Sequence, residues 1–300
     1  MSVLPIIGDA EAELKAIYQD LHAHPEIGFQ ERRTSTIVAG KLKEYGVDGV
    51  HTGYGKTGVI GLIHGKCTGN RCVGVRADMD ALPIDEISGV PFSSQNQGVM
   101  HACGHDAHTS MLLGAAKHLA ATRNFDGTAV MIFQPAEEGL GGARKMIADG
   151  LFEQFPCDEI FGMHNSPNGQ PGKMDICKGV AMAGAAFFDI DITGVGSHAA
   201  MPQSSKDTVV VASALVAQLQ TIVSRNIPPL DSCVLSVTQI HAGTAYNVVP
   251  EIAKLCGTIR YFKDHVYQTA CTRMEELCKG MAEAYGVEIK LDARNVFDVL

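Results

Sequence analysis

GTAVMIFQPAEEGLGGARKMIADGLF, residues 127–152, begins as an apolar run of strand length, breaks at Pro135 into a polar turn, and ends with apolar residues at helical spacing. The alternation continues outward. SMLLGAAKHLAATR (110–123) predicts a helix ahead of the strand, and DEIFGMH (158–164) predicts a strand after the second helix. TGVIGLIHG (57–65) and RCVGVRADMD (71–80) predict two earlier strands, while AEAELKAIYQDLHAHPE (10–26) and STIVAGKLKEYGV (35–47) predict two opening helices. Strands alternating with helices imply an α/β domain over residues 1–180. Its sheet should be mainly parallel with helices on both faces, and chemistry should collect at the carboxyl ends of the strands.

Near residue 181 the grammar changes. AAFFDIDITG (185–194), the long helical run 207–225, CVLSVTQIHAG (233–243), IAKLCGTIRYF (252–262), the helical run 265–286 and VEIKLDA (287–293) follow in turn. That order, β-α-β-β-α-β, predicts a self-contained ferredoxin-like α+β domain over residues 181–295.

Of the 300 residues, 46% are hydrophobic and 19% charged, enough apolar material for one large or two moderate domains. A net charge of -9 without any Lys/Arg run argues against a nucleic-acid partner, since phosphate binding needs clustered positive charge. No stretch approaches the ~20 uninterrupted apolar residues of a membrane helix, and the first residues lack a basic segment before a long apolar core. A cytoplasmic protein with no membrane partner is expected. Nine scattered cysteines, an odd number, suit reduced thiols rather than a disulfide framework.

The densest chemical signal is HACGHDAH (101–108), where Cys103 and His105 form the thiolate and imidazole pair that a borderline metal such as zinc prefers. Gly104 lets the backbone bend so that the two converge. In QPAEEG (134–139), Glu137 and Glu138 close an apolar strand. Adjacent carboxylates repel and are costly to desolvate together, so a cation is expected beside them, one Glu ligating it and the other acting as general base. DEIFGMH ends in His164, a third strand-end candidate. Asp78 and Asp80, closing RCVGVRADMD, are either ligands or carboxylates that orient an imidazole through its other ring nitrogen; the second role is favoured. In the second domain, His198 (GSHAA, 196–200) and Asn247 (AYNVVP, 245–250) are donors for an oxyanion or a substrate carboxylate, with which Arg260 could pair bidentately.

RADMDALP, HACGHDAH, QPAEEG, GMHN, GSHAA and AYNVVP, in that order, resemble the N-acyl-amino-acid amidohydrolase branch of the dinuclear metallopeptidases. That branch includes hippurate hydrolase, aminobenzoyl-glutamate hydrolase and plant auxin-conjugate hydrolases. The resemblance implies two divalent metal ions, zinc or manganese, with nickel or cobalt as further candidates, held by Cys103, His105, Glu138 and His164. It implies Glu137 as general base and an N-acyl amino acid as substrate. It also implies an inserted lid that mediates homodimerisation and carries His198 to the partner's site. The family pattern includes a further metal-ligating His beyond the lid, which no remaining His here matches, so an incomplete ligand set is expected. Two competing readings are a catalytically impaired homologue acting only as a dimerisation partner and a dipeptidase or aminopeptidase of the same fold. The Cys-Gly-His form argues against the last.

Overall fold

Ile17 and Leu21, then Val38, Ala39 and Leu42, recur at helical spacing and are buried, each set turning one face of a helix inward. These helices are α1 (Glu11–Ala23) and α2 (Arg32–Glu44) of a computed structural model that describes residues 8–170 and 172–300. The start of the chain, read above for a leader, lies outside the described residues.

The chain divides into two compact units, Met1–Lys173 and Met174–Leu300. The division falls ahead of the 180/181 boundary expected from the sequence, and the residues just after that boundary pair with the end of the second unit. There the Ala181 and Met182 amides donate to the Leu300 carbonyl at 2.6 and 2.8 Å.

The first unit is built on five strands, β1 (Gly49–Tyr54), β2 (Gly58–His64), β3 (Cys67–Asp78), β4 (Asp126–Gln134) and β5 (Glu159–Gly162), in the order β1-β2-β4-β3-β5. β3 pairs parallel with β4 and β5, as expected of strands joined through helices. The β1/β2 and β2/β4 pairings are antiparallel, so the sheet is mixed rather than mainly parallel. β1 and β2 are joined by a short turn, which admits only the antiparallel arrangement.

Side chains alternate across β4. Ala129, Met131 and Phe133 pack with α1, α2 and α3 (His105–Thr122) on one face. Val130 and Ile132 meet Met146, Leu151 and Phe155 on the other. Helices therefore cover both faces. The helix expected over 141–152 is two pieces, α4 (Gly142–Ala148) and the single turn α5 (Leu151–Gln154), broken at Gly150 with φ 89°.

The second unit is a four-stranded antiparallel sheet in the order β11-β6-β10-β8, formed by β6 (Gly184–Thr193), β8 (Cys233–Ala242), β10 (Ile252–Tyr261) and β11 (Glu288–Phe297). With α6 (Thr208–Thr221) and α7 (Asp264–Tyr285) this is the ferredoxin-like order read from the sequence. Two short strands, β7 (Ser197–His198) and β9 (Val248–Val249), pair apart from the main sheet. The run Thr208–Asn226 is long and apolar enough to cross a membrane, with mean hydropathy 1.3. Its Val211, Leu215, Leu219 and Ile222 are buried in the core of this unit, which accounts for that composition.

Candidate metal centre

β3 and β4 lie side by side and parallel, so their carboxyl ends bring Asp78 and Asp80 next to the 134–139 turn. α3 starts at this edge. Its N-cap Gly104 has φ 85°, a left-handed conformation that glycine adopts freely, and a Cβ there would lie 2.6 Å from Asn165 Nδ2. The bend places Cys103 and His105 on one site, as the sequence predicts.

His105 is fully buried. Its Nδ1 lies 3.2 Å from Asp80 Oδ1, a carboxylate that can only accept, so Nδ1 carries the proton and Nε2 presents a lone pair. Nε2 has no hydrogen-bond partner. It faces Asp78 Oδ2 at 3.6 Å, Glu138 Oε1 at 3.9 Å and Glu137 Oε2 at 4.0 Å. Glu138 Oε1 is likewise buried and unpartnered. Cys103 Sγ lies 3.3 Å from His164 Nε2, and His164 Nδ1 donates to the Asn165 carbonyl at 2.7 Å, which leaves Nε2 unprotonated toward the thiol.

Potential ligand atoms of Cys103, His105 and His164 lie within 4.8 Å of one another, and so do those of His105, Glu137 and Glu138. Two buried, orphaned donor atoms inside a cluster of soft and hard ligands fit a divalent metal site, because unpaired buried polar atoms are otherwise costly.

Electrostatics point the same way. Burial, with repulsion from Glu138, Glu137 and Asp78, pushes the Cys103 thiol up to about 12. Burial, then Glu138 and Asp78, also raises the Glu137 carboxyl. Burial opposes charge on His105, but the Asp80 hydrogen bond and the surrounding carboxylates raise it overall. A cation relieves all three effects.

Asp78 and Asp80 both hydrogen-bond imidazoles, and Asp78, His105 and His108 form a third group whose potential ligand atoms lie within 4.8 Å of one another. Asp78 Oδ1 meets His108 Nδ1 at 2.6 Å and Oδ2 meets Arg76 Nη1 at 2.8 Å. Burial alone would raise Asp78, yet His108 and Arg76 hold it well below the carboxylate range. Asp80 Oδ1 receives His105, and Oδ2 accepts the Glu138 amide at 3.0 Å. This is the geometry of carboxylates that orient imidazoles.

His198, Asn247 and Arg260 belong to the second unit. His198 and the Asn247 backbone are neighbours, the Ala199 amide donating to the Asn247 carbonyl at 2.9 Å, and both residues are exposed. Arg260 lies at the other end of β10, eight residues and ~26 Å from Ile252 at about 3.3 Å per residue. It borders a cavity of about 650 Å³ that runs along β10 from Lys254 to Arg260, with Phe187 and Asp189 also lining it.

Sequence reasoning missed three supports. His22 is buried between Asp106 Oδ2 at 2.6 Å and Glu86 Oε1 at 3.1 Å. Asn165 meets His108 Nε2 through its amide at 3.0 Å. Glu31 is fully buried. The His in LHAHPE was the one signal available for the first, and nothing in FQERR distinguishes Glu31 from a solvated acid.

Fold and site together define a metal-dependent amidohydrolase of the two-domain metallopeptidase type. Residues 74–285 match the sequence model of peptidase family M20/M25/M40, and the chain belongs to that family. It is 44% identical over 299 residues to hippurate hydrolase of Campylobacter jejuni, covering 100% of this chain and 77% of the relative. It is 40% identical over 278 residues to N-acetyldiaminopimelate deacetylase of Listeria monocytogenes, covering 93% and 74%. Its structure resembles that of a dinuclear metal-binding peptidase of the M20 family from Bacillus subtilis, with TM-score 0.80, 34% identity and 98% and 76% of the two chains covered.

Proposed function

We propose that this chain hydrolyses the amide bond of N-acyl amino acids, hippurate-like compounds among them, to a carboxylic acid and a free amino acid. The observation that carries this reading is the pair of buried, unpartnered donor atoms, His105 Nε2 and Glu138 Oε1, set among Cys103, His164 and Glu137. The relatives' names support it, since both denote hydrolysis of an N-acyl amino acid. In this reading Cys103, His105, Glu138 and His164 hold two divalent ions. Thiolate and imidazole favour zinc and the carboxylates suit manganese, with nickel or cobalt as further candidates.

When bound, the ions supply Lewis acidity that polarises the amide carbonyl and acidifies water. Glu137, its carboxylate facing the His105 cluster beside Glu138, takes the proton from the attacking water and returns it to the leaving amine. Asp78 and Asp80 hold His108 and His105 in register. In the second unit, proposed as lid and dimerisation domain, Arg260 pairs with the substrate carboxylate while His198 and Asn247 donate to the oxyanion.

The ~26 Å of β10 that separates Arg260 from the His198 end exceeds the length of a hippurate-sized molecule. That spacing is consistent with a homodimer in which His198 of one subunit serves the other's site. Nine free cysteines support a reducing, cytoplasmic setting.

Two variants and a substrate comparison test the reading. Glu137→Ala should retain its metal while turnover of benzoylglycine falls ~10²–10⁴-fold, the usual worth of a general base. Glu138→Ala should lose metal on dialysis. Identical phenotypes, or faster turnover of free dipeptides than of acylated amino acids, would overturn it.

A further inference from the structure

Glu31 sits immediately before α2, between Gln30 and Arg32, yet it is fully buried. Its Oε1 accepts the Ala136 amide at 2.8 Å and its Oε2 accepts the Thr57 hydroxyl at 2.6 Å. A carboxylate taken wholly out of water must be compensated by such bonds. Ala136 is itself unusual. Its φ is 51°, in the left-handed region where a side chain is strained, so something outside the turn must hold it there.

The turn is gripped on both sides of Glu137. The amide before it, at Ala136, goes to Glu31, and the amide after it, at Glu138, goes to Asp80 Oδ2 at 3.0 Å. The loop carrying Glu31 packs directly on the turn, since a Cβ added to Gly28 would lie 3.1 Å from Ala136 Cα. Between the two clamps, Glu137 Oε2 is held 4.0 Å from His105 Nε2.

We propose that Glu31 is a positioning residue for Glu137, fixing the left-handed turn so that the Glu137 carboxylate faces the His105 cluster. The assignment rests on the reading of Glu137 as general base. Its structural half, the clamp, can be measured independently of turnover. Thr57 completes the device by occupying the second carboxylate oxygen and keeping the first aimed at Ala136.

Glu31→Leu removes both bonds at similar volume. Glu31→Gln can keep both, its amide oxygen accepting from Ala136 and its NH₂ donating to the Thr57 oxygen. In Glu31→Leu, hydrogen exchange at the Ala136 amide should quicken on the order of tenfold. Its kcat should fall ~100-fold, the scale set by a misplaced catalytic group, with KM and metal content unchanged. Glu31→Gln should stay close to the parent in all four measurements. Unchanged exchange at Ala136 in Glu31→Leu, or a Gln variant as impaired as the Leu variant, would overturn the proposal. Should Glu31→Leu not fold, Thr57→Val should shift exchange and kcat the same way by less, and no shift there counts equally against it. Glu137→Ala separates the two possible failures, because full turnover in that variant removes the general-base reading while unchanged Ala136 exchange removes the clamp.

Discussion

Cys103 shows how a residue's surroundings choose its chemistry. Its thiol is pushed up to about 12 by burial and then by Glu138, Glu137 and Asp78, so a thiolate forms near neutral pH only when a metal cation displaces the proton. Cys103→Ser should therefore weaken metal binding beyond the ~10–100-fold that loss of an outer support costs. Cys233→Ser, at a half-buried site outside the cluster, should leave metal content after dialysis unchanged; equal losses would remove Cys103 from the ligand set. Cys103, His105, Glu137 and Glu138 were legible because their types and spacing within two short motifs already define a ligand cluster. Glu31 was not legible. Its only distinction is burial against a turn 105 residues away, and a polar local sequence carries no trace of that contact.

The elements of the first unit are tied together where α3 begins. His22, in the last turn of α1, bridges Asp106 in the first turn of α3 and Glu86 in the loop between β3 and α3, with Tyr18 and Phe92 packed around its ring. Burial disfavours the imidazolium, but hydrogen bonds to Glu86 and Asp106 outweigh it and raise His22 above its ordinary 6.5. A folded value above the unfolded one gives stability that is full below pH 6.5 and fades as pH rises through the higher folded value. The stability gap between the parent and His22→Gln, measured by urea unfolding, should thus narrow from pH 6 toward pH 9. The change should be up to about 1 kcal/mol after allowance for solvent screening. A gap independent of pH would show that His22 acts only by packing. Helices and most strands were readable at this scale from apolar period. The break at Gly150 and the antiparallel placing of β1 and β2 depended on turn geometry that no period reports.

At the scale of the whole molecule, the putting together of two units on one chain separates what metal binding stabilises from what it does not. Every group of three or more His, Cys, Asp or Glu side chains close enough to hold a metal ion among the described residues lies in the first unit, so chelation should lower the melting temperature of that unit, a bound ion at 1,000 times its Kd contributing about 4 kcal/mol. Amides of residues 184–297 should exchange at unchanged rates, and limited proteolysis of the chelated protein should leave a resistant fragment beginning near Ala181. Equal loosening of both units would show that they unfold as one. By itself the sequence determined the helix and strand periods, the β-α-β-β-α-β order and the motifs that hold Cys103, His105, Glu137 and Glu138, because each depends on neighbours within one turn or one strand. Only the tertiary structure decided which strands run antiparallel, that Asp78 and Asp80 hydrogen-bond His108 and His105, and that Glu31 closes on the turn before Glu137. It also decided that His198 lies in the short β7/β9 pair while Arg260 lies near the far end of β10 in the main sheet. Those outcomes depend on which distant groups can satisfy one another's hydrogen bonds once water is excluded, and that matching exists only in the folded chain.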